Sequence, residues 1–334
     1  MNVVFLNQFE RLAAQGQPEE QAHVYIGEQQ GVWSAGWKPA DSASASEADL
    51  WYEGMSWEEL LASFRHGIAG KMRLGFRPLI DGMLEETPFW DRRPSLPQLL
   101  QCYADLQPPN EMADKLRLWR RSKASEEKKS AFLIATNREL HMLAVYLPRT
   151  MEELLEIPGF GKLKADKYGG GLLAVMKDAE REHPYPLESW VPGAVSAEQL
   201  SEWLFRLKED KYGKTLTDVR EKRSLLFAIR DGKSLEQLEG DLNCPRRSLV
   251  ERIEKLDEEG YDVLPIVEHE LAEISAEEIG KIESALGELG DKYLKPLLRK
   301  VYGDLKTNDQ ETERQYEKLR MARIRFRRVS RTAV

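Results

Sequence analysis

Cysteine and histidine are scarce in this 334-residue chain. Its two cysteines, Cys102 and Cys244, lie far apart. They make neither a disulfide framework nor a zinc-ligand spacing, which points to a reducing compartment. The five histidines do not cluster. His141 falls in an apolar helical run and reads as packing, and Glu268-His269-Glu270 lacks a second histidine at helical spacing, so no metal site is expected. Long apolar runs are also missing. No segment approaches the roughly 18 apolar residues of a membrane span, and MNVVFLNQFERLAAQG has no basic start, so neither a membrane contact nor a signal peptide is expected and the location reads as cytoplasmic. Nor is there an excess of positive charge: the net charge is −8 and the pI about 5.5. An overall electrostatic grip on nucleic acid is thereby excluded, and any contact with it must use local patches.

Catalytic constellations are absent as well. Gly67-Ile68-Ala69-Gly70-Lys71 lacks the first glycine, the following Ser/Thr and the preceding strand of a phosphate loop. No nucleophile–base pair and no nuclease-like set of carboxylates stands out. The reading is a non-enzyme with no catalytic residue, no metal and no cofactor.

What is present is organised in modules. Residues 2–6 read as a strand. His23–Glu28 and Gly31–Trp37 read as a hairpin around Glu28-Gln29-Gln30-Gly31, and Leu50–Gly54 as a third strand. Pro39–Asp49 is an Ala/Ser/Asp loop. Ser56 is the N-cap of a helix striped by Trp57, Leu60, Leu61, Phe64 and Ile68, with Glu59 in capping-box position. Residues 1–107 are therefore expected as a small α+β domain. Its tryptophans suit either a core or a stacking platform.

A basic helix follows the Pro108-Pro109 boundary, with Arg120 and Arg121 beside Met112, Leu116 and Trp119. An amphipathic helix over Asn137–Leu147 ends at Pro148. Then comes MEELLEIPGFGKLKADKYGGGLL, residues 151–173. Thr150 caps its first helix, with Glu153 in box position; Pro158 stops that helix, and Gly159-Phe160-Gly161 turns into the next. Such a turn aims backbone N–H groups at a helix start, beside Lys162 and Lys164. A phosphate site and a plain helix corner are both open readings.

The order basic helix, linker, Phe132 segment, helix ending Leu147-Pro148, Thr150-x-x-Glu-Leu-Leu, Ile-Pro-Gly-Phe-Gly and Lys167-Tyr168-Gly169 resembles the HRDC domain, the helical module shared by RecQ-type helicases and RNase D. The resemblance covers Asp114 to about Ala179. It implies a nucleic-acid-binding or interaction accessory that works through basic residues and an exposed aromatic. Phe132 falls where the family often carries that aromatic, although this chain has Ser130-Ala131 in place of a Pro-Pro pair. Phe132 could stack a base or sit in the core.

Beyond the proline-rich connector, helices are read over residues 196–213, 215–230 and 246–256, with a short one at Ser234–Leu238 and a turn at Asn243-Cys244-Pro245. Glu259–Val263 reads as a wing or return strand. With Leu-Gly-x-x-x-Leu-Lys-Pro-Leu at 289–297, this region resembles the accessory helix-turn-helix domain at the C-terminus of some bacterial RecQ-like helicases and their partner proteins. The resemblance implies contacts through Arg246, Arg247 and Arg252. The last 24 residues carry eight Lys/Arg against three Glu, including Arg325, Arg327 and Arg328 interleaved with apolar residues, as in tails that meet nucleic acid or an acidic partner.

The expected fold is mainly α: an α+β domain over 1–107, an HRDC-like bundle over 110–182, a linker and helix over 183–214, a helix-turn-helix-like domain over 215–305 and a basic tail over 306–334. The expected function is that of a bacterial-type nucleic-acid-binding accessory protein acting with a RecQ-like helicase or nuclease. The partners would be single-stranded or forked DNA, or RNA. The expected contacts are Phe132, Arg120, Arg121, Gly159, Gly161, Lys162, Lys164, Lys167 and Tyr168, with the six arginines just named. The alternatives are a protein-interaction scaffold that never touches nucleic acid, and a sequence-specific regulator.

Overall fold

The computed structural model describes residues 1–11, 20–40, 48–80, 94–303 and 310–332. The expected loop at Pro39–Asp49 therefore falls largely outside the described residues. The fold is mainly α with a small N-terminal α+β region. It forms two compact units, Met1–Leu216 and Thr217–Val334.

The first unit opens with β1 (Asn2–Arg11), β2 (Glu20–Gln29), β3 (Val32–Pro39) and β4 (Asp49–Gly54). Helix α1 (Trp57–Arg73) follows, then the two-residue strand β5 (Arg77–Pro78). The sheet is antiparallel in the order β4-β3-β2-β1-β5. The β2–β3 hairpin turns on Gln30 and Gly31, both with positive φ, as a tight two-residue turn between twisted strands requires. Alternation puts Phe9, Val24, Ile26, Ala35, Trp37 and Tyr52 on one face, where Leu60, Phe64, Ile68 and Met72 of α1 cover them. Ser56 caps α1 by accepting from Glu59 N, but its own N–H donates to Tyr52 Oη at 2.8 Å. Tyr52 thus replaces Glu59 in the second half of the expected capping box. Gly67 lies inside α1 against Trp51, which accounts for the glycine as packing.

The helical part of this unit comprises α2 (Leu96–Leu106), α3 (Glu111–Glu127), α4 (Ala131–Ile134), α5 (Asn137–Tyr146), α6 (Met151–Leu155), α7 (Lys162–Met176), α8 (Val191–Ala194) and the first half of α9 (Ala197–Arg230). One core joins Leu100, Leu116, Ile134, Leu140, Leu143, Leu154, Phe160 and Leu172. Tyr146 is fully buried and donates to Leu100 O at 2.7 Å. Helix α9 is a single helix where two were expected. Thr215 stays in it, with its Oγ1 bonded to Lys211 O one turn back.

The second unit adds α10 (Leu235–Leu242), α11 (Arg246–Glu258), α12 (Leu264–Ala272), α13 (Ala276–Leu289), α14 (Leu294–Tyr302) and α15 (Gln310–Thr332). The expected wing is instead a helix end. Gly260 takes φ +92°, Tyr261 N reaches Leu256 O, and α12 begins at Leu264. The basic C-terminal run, read as a tail, is helix α15, whose Leu319, Met321, Ala322 and Ile324 lie in this unit's core. Its basic face is matched by carboxylates. Arg320 bonds Glu254 (2.6 Å) and Glu251 (3.3 Å), and Arg325 bonds Glu283 (2.8 Å). Arg327 meets Asp291 and Glu258, and Arg328 meets Asp257, which is fully buried. Arg323, itself buried, pairs with buried Glu254.

Burying a carboxylate without its partner is expensive, so Arg323→Met is expected to destabilise the second unit by about 3 kcal/mol, the low end for a broken buried pair because Arg320 still faces Glu254. Urea unfolding followed by circular dichroism reads the loss.

Candidate nucleic-acid interface

The turn at Pro158-Gly159-Phe160-Gly161 is held from inside. Phe160 is buried, and Phe160 N donates to Ile157 O. Gly159 sits at φ +97°, and a Cβ there would lie 2.1 Å from Glu139 Oε1. Glycine is thus required both by the left-handed backbone and by the carboxylate pressed against it. Glu139 comes to the turn because it is the third residue of α5. Its Oε2 accepts from Thr136 N at 2.6 Å and closes a capping box, and the same oxygen accepts from Lys164 Nζ at 2.7 Å. Gly161 starts α7 without a side-chain cap. In that first turn Lys164 N donates to Gly161 O at 3.0 Å, and a carboxylate already stands next to the turn.

Lys167, Tyr168 and Arg120 are similarly occupied. Lys167 Nζ donates to Glu127 Oε2 at 2.6 Å, Tyr168 Oη to the same oxygen at 3.1 Å, and Lys129 Nζ at 3.1 Å. These donors hold the Glu127 carboxyl down at about 2, with the Lys167 hydrogen bond the largest cause, and Glu127 in turn raises Lys167. Tyr168 is buried edge-on against Trp119, their centroids 6.4 Å apart. Arg120 spans to the next segment, donating to Ala135 O at 2.7 Å and Asn137 Oδ1 at 2.9 Å. Burial lowers its pKa, with the nearby Arg117 and Arg121 adding to the effect. Glu153 bonds Arg149 N (2.6 Å) and Arg181 (2.8 Å) rather than closing the expected box on Thr150. It ties the start of α6 to the chain beyond α7.

Left at the surface are apolar groups and a few cations. Phe132 is 66% exposed, Leu133 61% and Leu163 89%. Phe132 and Leu133 lie on α4, just before Thr136; Leu163 adjoins Lys164; Glu139 ties those two segments together. Arg121, Lys128 and Lys162 are exposed, and among the described residues they form no ion pair. Leu133, Leu163 and Lys128 were not singled out in the sequence. For the two leucines the only signal is an apolar residue where an amphipathic pattern calls for a polar one.

Of the arginines expected as contacts in the second unit, most are engaged. Arg246 is engaged by Glu270 and Glu317, each at 2.7 Å. Arg252 pairs with Glu221 at 2.9 Å, and Arg247 is exposed with Glu251 at 3.4 Å. Arg325, Arg327 and Arg328 are paired within the unit, as above.

Short helices around one core and a Pro-Gly-Phe-Gly turn define a small helical module. Residues 110–176 match the family model of the HRDC domain, in line with the resemblance read from the sequence. The HRDC domain is a nucleic-acid-binding module associated with helicases and nucleases, accessory rather than catalytic. No curated protein and no solved structure matches the chain. Among the described residues, no group of three or more His, Cys, Asp or Glu side chains is placed to hold a metal ion, and no helix is long and apolar enough to cross a membrane.

The low pKa of Glu127 fixes the sign of one pH effect. A depressed carboxyl stabilises the fold above its unfolded value near 4.5, and that contribution fades as pH falls towards about 2. Glu127→Gln is therefore expected to lower the melting temperature at pH 7 and to flatten its decline between about pH 4.5 and 2. Thermal melts across that range measure both.

Proposed function

We propose that this chain is a nucleic-acid-binding accessory protein that works alongside a helicase or nuclease, with the HRDC module as its first contact. One observation carries the reading: Phe132, Leu133 and Leu163 are exposed on the module, and so are Arg121, Lys128 and Lys162, which form no ion pair among the described residues. An exposed ring can stack on any base, and unpaired cations can meet the phosphates that follow it. This chemistry favours single-stranded DNA, a fork with a single-stranded arm, or RNA. Lys164, Lys167 and Arg120 then serve to shape the module, because each already holds an internal partner. A second contact runs through Arg247 and Arg252 of the helix-turn-helix-like region, where Arg247 is the more exposed of the two.

A scaffold that binds protein and no nucleic acid is the competing reading. It is favoured by the acidic total charge and by the internal pairing of the α15 arginines. A sequence-specific regulator would instead need base readout by Arg246, Arg247 and Arg252, of which Arg246 is the most engaged.

Fluorescence anisotropy with labelled single-stranded and forked DNA separates these readings. Three phosphate contacts on a single strand give a log–log salt slope of about −2. Phe132→Ala is expected to weaken binding by about 1–3 kcal/mol with little change in that slope, since it removes stacking and no charge. Absence of binding at low salt by the folded protein would select the scaffold.

A further inference from the structure

Glutamine closes the start of three helices in this chain. Ser95 N donates to Gln98 at α2, Ser196 N to Gln199 at α9 and Ser234 N to Gln237 at α10, each at 3.0 Å. A neutral amide closes such a box as a carboxylate does. At α5 the residue in that position is Glu139, which accepts from Thr136 N at 2.6 Å. The cap therefore has no need of its charge. That charge is met instead by Lys164 Nζ, 25 residues further on, which donates to the same oxygen at 2.7 Å.

Lys162, Leu163 and Lys164 are successive residues of the first turn of α7. Lys162 and Leu163 are exposed, and Lys164 is held inward. Its side chain is 21% exposed and that of Glu139 12%. The Lys164 ammonium also lies 4.9 Å from the Phe160 ring centroid. A lysine stem is long and flexible, so the carboxylate is what fixes where this charge points. An ammonium already on a carboxylate must give up that partner before it meets a phosphate, and exchanging one anion for another gains little. A free ammonium instead displaces a counterion from the strand with each phosphate it meets.

We propose that Glu139 sets how many phosphates the HRDC module holds: its carboxylate withholds Lys164 from a nucleic-acid strand lying along Lys162 and Leu163. The proposal rests on the nucleic-acid reading above. Glu139 touches no ligand in this role and acts through Lys164, as a positioning residue. Glutamine at the same place keeps the bond from Thr136 N and the packing over Gly159, and it frees the ammonium to turn outward. Neutralising Glu139 therefore adds one phosphate contact. A pair that served only the fold would change stability and leave the number of phosphate contacts as it was.

The test measures anisotropy of a labelled oligothymidine strand with the full chain across salt, and thermal melts of each variant. Glu139→Gln is expected to bind more tightly at low salt and to steepen the log–log slope by about 0.7, the share of one single-strand phosphate. Lys164→Ala alone leaves the wild-type slope, whereas Lys162→Ala flattens it by about 0.7. The double variant Glu139→Gln, Lys164→Ala returns to the wild-type slope, because the added contact is Lys164 itself. The proposal is overturned if Glu139→Gln binds with the wild-type slope, if the double variant keeps the steeper one, or if Lys164→Ala flattens the slope as Lys162→Ala does. That last comparison decides by itself should Glu139→Gln fail to fold. No binding by the folded wild type or by Glu139→Gln removes the nucleic-acid reading and this proposal with it, while binding with equal slopes removes this proposal alone.

Discussion

Glu139 receives the N–H of Thr136 and the ammonium of Lys164 on one oxygen, while its other oxygen fills the space over Gly159. Two segments distant in sequence are joined by that carboxylate: the end of the Phe132 segment, and the hairpin turn with the first turn of α7 that follows it. If it were removed, the turn would lose the group it is packed on, Lys164 its partner and α5 half of its cap. The exposed Phe132–Leu163 surface is arranged around this junction, so the shape of the candidate interface depends on it.

The same principle recurs through the molecule. Glu127 gathers Lys167, Tyr168 and Lys129, and Glu254 and Asp257 gather the arginines of α15. In an acidic chain with many basic residues, a positive charge becomes available to a ligand only where the fold fails to bring a carboxylate to it. A surface ion pair contributes little to stability. It nonetheless decides which cations still seek a partner, and on the HRDC module Arg121, Lys128 and Lys162 are among these.

Much of the first unit was legible from local chemistry. The β2–β3 hairpin followed from Gly31 and its flanking strand-like runs, α5 from the amphipathic run that begins at Asn137, the α7 start from Pro158-Gly159-Phe160-Gly161, and the HRDC module from the order of its parts. Misreadings arose where a residue had a remote competitor. Tyr52 took the N–H that Glu59 was expected to cap, and Arg149 and Arg181 took Glu153. For the basic C-terminal run, a helix and a disordered tail were both open readings. Interleaved Arg and apolar residues describe a solvated tail and an amphipathic helix equally well, and only a complementary acidic surface on other helices distinguishes them.

The sequence by itself determined the mainly helical composition, the capped helix starts, the glycine turn and the exclusion of phosphate-loop and zinc-site chemistry, because each depends on residues within a few positions of one another. Tertiary structure decided which charges are spent internally. Glu127 lies 40 residues from Lys167, and Asp257 lies 71 from Arg328. Pairing across such distances is set by how the helices pack, which no local pattern encodes.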